Sequence, residues 1–546
     1  MIKAVNTYRH HVRFRWLLVA IAFLSLLISL PQGSCNTQSN HMPRLVVMII
    51  VDQMRADYLD RFASHWHGGL YRFLQDGERF TQAYHDHAIT KTVVGHAVLA
   101  TGQLPSGNGI IGDYLYNHIT NTQLYSCEDS TAKIIGFPDA PGRSPVNILT
   151  PTLGDIAKRI NAESKVVTLA LKDRPAIMMG GKNPDAVYWL MSKQGKFVTS
   201  TYYAEQIPAW LDSLNSSDFI ARFAGSIWEL VLPESSYVNH DGLDRFPHQF
   251  APTINPIGKD YYRDVIYTPF TDMISIDLAR RLIKHYELGN DDNCDFLFVS
   301  CSSADYIGHE YGPDSPEIED YYIRLDDMLG SFLDNLDSTI GKNNYLAVLS
   351  SDHGVMPIPE VLVTKGIPAV RYNRQMVDSV ITAIADEVAD HFKLGSGFLH
   401  NYTYHIVLDE NMIRLVGQEV DSVENYLAEQ LRMLPFIEDV YTAIELADSN
   451  TADRPYIKFY KNCFEPNRSP HLYLRFPEYT MVSSSTTGAD HGSPYLYDRH
   501  VPIVFMGKGI PPGVCNDTVR TVDIVPSVLQ YLGIEYDGQL DGKPIL

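Results

Sequence analysis

The chain has 546 residues, 45% hydrophobic and 20% charged, which is enough for two to four domain-sized units or one large α/β domain with insertions. A formal charge of −21 argues against a broad nucleic-acid footprint, so no nucleic-acid polymer is expected as a partner. Six cysteines without a CxxC pair exclude a cysteine zinc knot, and they are too few for a disulfide scaffold in so long a chain.

Lys3, Arg9, Arg13 and Arg15 precede a mostly apolar run from Trp16 to Leu30. That order reads as an export signal over 1–34, with a retained membrane anchor as the alternative, and predicts a periplasmic or exported protein. The run is shorter than the roughly 20 residues that span a bilayer. Membrane contact is expected only through this segment, if it is retained. Residues 35–43 read as a polar, flexible leader.

Arg44–Val51 ends in an apolar run and predicts the first core strand. Helical periodicity follows over Tyr58–Asp76. Thr92–Thr101 fits a short helix stopped by Gly102 and Pro105. Pro151–Asn161 predicts another helix, with Thr150 as its cap and Pro151 at its first position. Lys165–Leu171 reads as a strand that delivers Lys172, Asp173 and Arg174. A first core segment is therefore expected over 44–174. Residues 175–265 are rich in Tyr, Trp, Gly, Pro and Ser and weakly periodic, and read as a cap insertion over the sheet edge. The core resumes over 266–365, with helices at Thr271–His285 and Pro316–Asp337 and strands at Phe296–Ser300 and Tyr345–Ser350. A second insertion is expected over 366–480, with helices at Tyr372–Ala389 and Ser422–Met433. Residues 481–546 return to the core through a strand at Val501–Met506 and a helix near Thr521–Leu532.

The chemistry-bearing residues sit just past the buried strands. Asp52 follows LVVMIIV, Asp305 and His309 follow FLFVSCSS, and Asp352 and His353 follow YLAVLSS. This pattern fits a site at the carboxyl edge of a parallel sheet and points to an enzyme that moves a phosphoryl group. On a helical turn the four-residue spacing of Asp305 and His309 puts both side chains on one face, where they can hold a metal such as zinc. One strand-end aspartate is often only a helix cap. Three such acids, two with histidine partners, are poorly explained that way. His491, in GADHG, has no periodicity of its own and by itself reads as a loop histidine. Thr92 is the candidate nucleophile. Its place at a helix start offers free backbone N–H groups to an anion, although a plain N-cap threonine has the same address, and Thr90 is a neighbouring competitor. In an extended segment Lys172 and Arg174 point the same way and can reach one anion, or both face solvent.

The segments VDQMRADYL, TVVGHAVLATGQLPSGNGIIGD, ALKDRPAIMMGG, SSADYIGHEYGPDS, LSSDHGVMPIPE and GADHGSPYLYDRHVPIVF, in this order, resemble the alkaline phosphatase superfamily. They are most similar to its bacterial exported phosphate-monoesterase branch with a threonine nucleophile, related to type I phosphodiesterases and nucleotide pyrophosphatases. The resemblance implies an α/β/α sandwich around a large, mostly parallel sheet with cap insertions. It implies two zinc ions, one held by Asp305, His309 and His491, the other by Asp52, Asp352 and His353 with Thr92 as its alkoxide ligand. It also implies that Lys172 and Arg174 clamp phosphate and that small-molecule phosphate monoesters are hydrolysed through a phosphothreonine. A phosphodiesterase or nucleotide pyrophosphatase is the first alternative, and a catalytically silent phosphate- or glycan-binding protein the second. The family commonly has Asn where Asp113 stands in GIIGD. An inward carboxylate must be protonated, paired with Arg174 or Lys172, or moved aside; outward, it is a surface aspartate. Lys182 stands near a cap segment that often carries His, and either meets a distal phosphate or faces water. His500 resembles a motif histidine in a supporting role.

Overall fold

The computed structural model describes residues 42–217, 219–240, 245–249, 258–450 and 453–546. The expected export signal and most of the leader lie outside these residues. Among the described residues no helix is long and apolar enough to cross a membrane.

The main sheet has nine strands: β1 (Leu45–Val51), β2 (Glu78–Tyr84), β3 (Val166–Ala170), β4 (Ala186–Met191), β5 (Lys196–Val198), β6 (Asp295–Cys301), β7 (Tyr345–Ser350), β8 (Ile503–Gly507) and β9 (Gly513–Arg520). Their order is β9-β2-β8-β7-β1-β6-β3-β4-β5. The central run β7-β1-β6-β3-β4 is parallel, so these strands end on one edge. Both flanks turn antiparallel, β8 against β7 and β5 against β4. All seven residues of β1 are buried: Leu45, Val47, Ile49 and Val51 pack into the core on one face, and Val46, Met48 and Ile50 into the core on the other. Burial on two faces explains why the central strands read as unbroken apolar runs instead of alternating ones. Helices cover both faces, giving an α/β/α sandwich with smaller sheets as cap insertions.

Three local expectations are corrected. Helix over Tyr58–Asp76 breaks into Tyr58–Arg61, a 3₁₀ turn at Ala63–His65, and Gly69–Asp76. Asp326 causes the break by accepting hydrogen bonds from the backbone N–H groups of His67, Gly68, Leu70 and Tyr71. A Cβ at Gly68 would lie 2.3 Å from the Asp326 carbonyl oxygen, so this approach requires glycine. The helix expected from Pro151 starts at Leu153, capped by Thr152 in a capping box with Asp155 and not by Thr150. Asp173 and Arg174 begin a helix and do not extend the preceding strand.

The segment 175–265 supplies β4 and β5 of the main sheet before its irregular part begins. Within 366–480, a four-stranded antiparallel sheet (Leu399–Asn401, His405–Leu408, Leu472–Arg475, Asp439–Thr442) and the helices Arg374–Phe392 and Val420–Arg432 share a separate hydrophobic core. The five described cysteines are free.

Candidate active site

Four adjacent parallel strands deliver the site. Asp52 follows β1, Lys172 follows β3, Asp352 and His353 follow β7, and β6 leads into α-helical residues Ser303–Tyr311, which carry Asp305 in the first turn and His309 in the last. The helix Thr92–Thr101 starts with Thr92 against the same edge. Gly95 makes this possible, since a Cβ there would lie 2.0 Å from the Asp352 carbonyl oxygen. His491 arrives from a loop.

The six predicted ligands converge. Ligand atoms of Asp305, His309 and His491 lie within 4.8 Å of one another, as do those of Asp52, Asp305 and His353. His309 Nε2 is 3.2 Å and His491 Nε2 3.6 Å from Asp305 Oδ1. His353 Nε2 is 3.4 Å from Asp52 Oδ1, 3.5 Å from Asp352 Oδ2 and 3.3 Å from Thr92 Oγ1. A tetrahedral zinc ion with bonds near 2.0–2.1 Å spaces its ligand atoms about 3.4 Å apart.

The hydrogen bonds behind the ligands supply the test of whether a metal fits. Nδ1 of His309, His353 and His491 faces the backbone carbonyl of Ala489, Gly354 and Thr90, at 2.7, 2.9 and 2.7 Å respectively. A carbonyl only accepts, so each Nδ1 carries the proton, and the neutral rings of His353 and His491 turn a bare Nε2 lone pair toward carboxylate oxygens. Asp52 Oδ1 and Asp352 Oδ2, both buried, have no hydrogen-bond donor. Lone pairs facing lone pairs in a buried cluster call for a cation, and the donor set suits zinc.

Electrostatics agree. Burial, then Asp305 and Asp352, drives the Asp52 carboxyl well above the usual range. Burial pushes Asp352 up to about 7. Burial also pushes the His353 and His491 imidazoles well below theirs, which keeps them neutral. Burial works against charge on Asp305 too, yet Lys172 and His309 hold it well below the carboxylate range. His309 shows the reciprocal effect: burial opposes its charge, but Asp305 pushes it up to about 9.

Lys172 Nζ lies 2.6 Å from Asp52 Oδ2 and 2.5 Å from Asp305 Oδ2, bridging the two halves of the cluster. Burial would strip its proton, but these acids hold its pKa above the ordinary lysine value. Arg174, within the following helix, has other partners. Its Nη1 donates to Tyr125 Oη at 3.1 Å and its Nε is 3.4 Å from Asp113 Oδ1. Asp113 is thus paired with Arg174, one of the arrangements its charge allowed. Lys182 is exposed and lies beyond the C-terminal end of the eight-residue helix Asp173–Gly180 that Arg174 helps to open, roughly 12 Å along its axis. His500 lies against the Tyr84 ring at a tilt and bonds the Thr81 carbonyl, a supporting position.

Two members escaped the reading of the sequence. Gln53, with a left-handed φ of 66°, donates Nε2 to Asp305 Oδ1 at 2.7 Å and its backbone N–H to Asp352 Oδ1 at 3.1 Å. His96 bonds the Thr92 carbonyl at 2.8 Å and lies 3.1 Å from Asp352 Oδ2. Its four-residue spacing from Thr92 was the available signal, identical to that of Asp305 and His309.

A sandwich of this topology, with two Asp/His groups beside one hydroxyl at the sheet's carboxyl edge, defines the alkaline-phosphatase-like class of hydrolases. The model of the type I phosphodiesterase / nucleotide pyrophosphatase family matches residues 46–487. Alkaline phosphatase PafA of Elizabethkingia meningoseptica is 31% identical over 97% of this chain and 98% of its own. Alkaline phosphatase PhoV of Synechococcus elongatus is 31% identical over 94% of each. The crystal structure of wild-type PafA superposes with a TM-score of 0.84 at 30% identity, covering 92% of this chain and 98% of its own. The chain belongs to the alkaline phosphatase superfamily, in its PafA-like branch with the type I phosphodiesterase / nucleotide pyrophosphatase fold, and is a hydrolase.

Proposed function

We propose that this protein hydrolyses small-molecule phosphate monoesters at a two-zinc site, through a phosphothreonine on Thr92, after export from the cytoplasm. The observation that carries the reading is the set of three histidines with Nδ1 committed to backbone carbonyls and Nε2 converging on an acid cluster beside the Thr92 hydroxyl and Lys172. Asp305, His309 and His491 would hold one ion, and Asp52, Asp352 and His353 the other. Zinc supplies positive charge that lowers the pKa of a hydroxyl or water and offsets charge on the oxygens of the reacting phosphoryl group.

The residues of the chain set the geometry. The helix Thr92–Thr101 has no side-chain cap at its start, so its first N–H groups remain available to a phosphate oxygen. Thr92 Oγ1 forms a bond to phosphorus as the bond to the leaving alcohol breaks, and its proton passes to solvent. The alcohol takes up a proton as it leaves. Water then attacks the phosphothreonine and gives up a proton, the Thr92 Oγ1–phosphorus bond breaks, Oγ1 takes a proton back, and phosphate departs. Lys172 and Arg174 offset charge on the non-bridging oxygens. A dianionic monoester gains more from both cations than a monoanionic diester. Purified, zinc-loaded protein should therefore turn over monoesters faster than diesters; a diester preference across several leaving groups would overturn the reading.

One observation favours a second reading. The Asp113–Arg174 pair withdraws part of one cation's charge, which moves the site toward phosphodiesters or nucleotide pyrophosphates. In that case loss of Lys172 spares the best reaction.

A further inference from the structure

Away from the Asp/His cluster, the molecule contains a buried guanidinium without an acid. Arg475 ends a strand of the four-stranded cap sheet and is 7% exposed. Its Nε donates to Tyr441 Oη at 3.1 Å and its Nη1 to Tyr495 Oη at 3.2 Å. Both phenols spend their own protons on backbone carbonyls, Tyr441 on Pro455 and Tyr495 on Phe476. They therefore accept from Arg475 as neutral groups and leave its charge uncompensated. The ring of Tyr456, a residue held at a φ of 66°, lies 5.0 Å from the guanidinium and offers only its π face.

Among the described residues no carboxylate pairs with Arg475. Asp439 stands opposite it on the neighbouring strand, but its Oδ1 is engaged by the backbone N–H of Val440, Arg432 and Arg454. A buried charge without a partner is strongly destabilising. The remaining nitrogen, Nη2, has no hydrogen-bond partner among the described residues. Arg475 lines a pocket of about 40 Å³, walled by Tyr404, Phe476 and Tyr497 and reaching Asp490, His491 and Asp498. That volume suits a single small ion or two to three waters. Neither acid of the pocket pairs with Arg475: Asp490 faces Lys91 at 3.5 Å, and Asp498 Oδ2 accepts from the N–H groups of Gly492 and Ser493 while its Oδ1 has no hydrogen-bond partner. They raise the cost of a second negative charge in the pocket.

We propose that this pocket is a binding site for a small monovalent inorganic anion of the halide class, seated against the Arg475 guanidinium. The anion supplies the missing counter-charge where the cap sheet meets the loop that carries His491. It does not depend on the catalytic reading, since Arg475 takes no part in the reaction.

Crystals of the zinc-loaded protein soaked in bromide and measured at the bromine absorption edge should show an anomalous peak beside Nη2 of Arg475. In solution, bromide or chloride should raise Tm above its value in gluconate at equal ionic strength by about 3–5 °C. Arg475→Gln should lose both the peak and that increment. Water alone beside wild-type Arg475 would overturn the proposal, and this needs no variant to fold. A bromide peak without the Tm increment, or an increment that Arg475→Gln retains, marks an adventitious ion only and overturns it too. Inorganic phosphate giving the larger Arg475-dependent increment would overturn the monovalent class.

Discussion

His353 and His491 stack face to face, their ring centroids 3.6 Å apart and their planes 12° apart. Two imidazolium ions cannot share that spacing in a buried site, and burial depresses both pKa values. The stack therefore presents two neutral rings. Each has Nδ1 tied to a carbonyl, and their Nε2 atoms face the two halves of the acid cluster. This arrangement brings residues 138 positions apart into one candidate metal-binding element.

Replacing the nucleophile separates chemistry from assembly. Thr92→Ala removes a hydroxyl whose Oγ1 lies 3.3 Å from His353 Nε2 and leaves the six ligands intact. Its kcat should fall by about a thousandfold or more while zinc content stays at the wild-type value. Steady-state kinetics with elemental analysis checks both. Phosphate trapped on Thr90 in the wild type would refute the assignment.

The cations should discriminate between substrates. Arg174→Ala should lower kcat/KM for monoesters by about a hundredfold and for diesters by about tenfold or less, because the diester has less charge to offset. Equal losses for both substrates would show that Arg174 holds structure and not charge.

Asp113→Asn tests the departure from the family pattern. The amide removes a negative charge 3.4 Å from Arg174 Nε and provides a donor. The ratio of monoester to diester kcat/KM should rise about tenfold at constant stability. An unchanged ratio places Asp113 outside substrate selection.

Metal removal should expose the electrostatics of the cluster. In metal-free protein His309 is pushed up to about 9 by Asp305, against burial, from an ordinary value near 6.5. A histidine raised by folding contributes stability fully present below about 6.5 and lost as pH rises to about 9. Tm of the chelated protein should fall across this window, and His309→Asn should flatten the fall. Zinc-loaded protein should show little slope there, because ligation holds the ring neutral throughout. Asp352, pushed up to about 7 by burial, adds a loss at lower pH, between about 3.8 and 7. Calorimetry from about pH 3.5 to about 9.5 covers both windows.

The core strands were legible because both faces of β1, β6 and β7 are buried, which writes an unbroken apolar run into the sequence. Asp305 and His309 were legible because helical spacing is local. Gln53 was not. Its role rests on a left-handed backbone that turns its amide toward a residue 252 positions away. Lys172 and Arg174 misled in a different way. Both read as lying on an extended segment, but the helix begins at Asp173 and sets Arg174 against Tyr125 and Asp113.

By itself the sequence determined which residue types follow which buried strands, and hence a catalytic edge rich in acids and imidazoles. Local periodicity and strand-end position are properties of short segments, and short segments carry them. Only the tertiary structure decided which lone pairs meet. The convergence of His309, His353 and His491 depends on carbonyls of Ala489, Gly354 and Thr90, and two of those carbonyls belong to segments remote in the chain. Backbone carbonyls are the same in every sequence, so their positions exist only once the strands have paired.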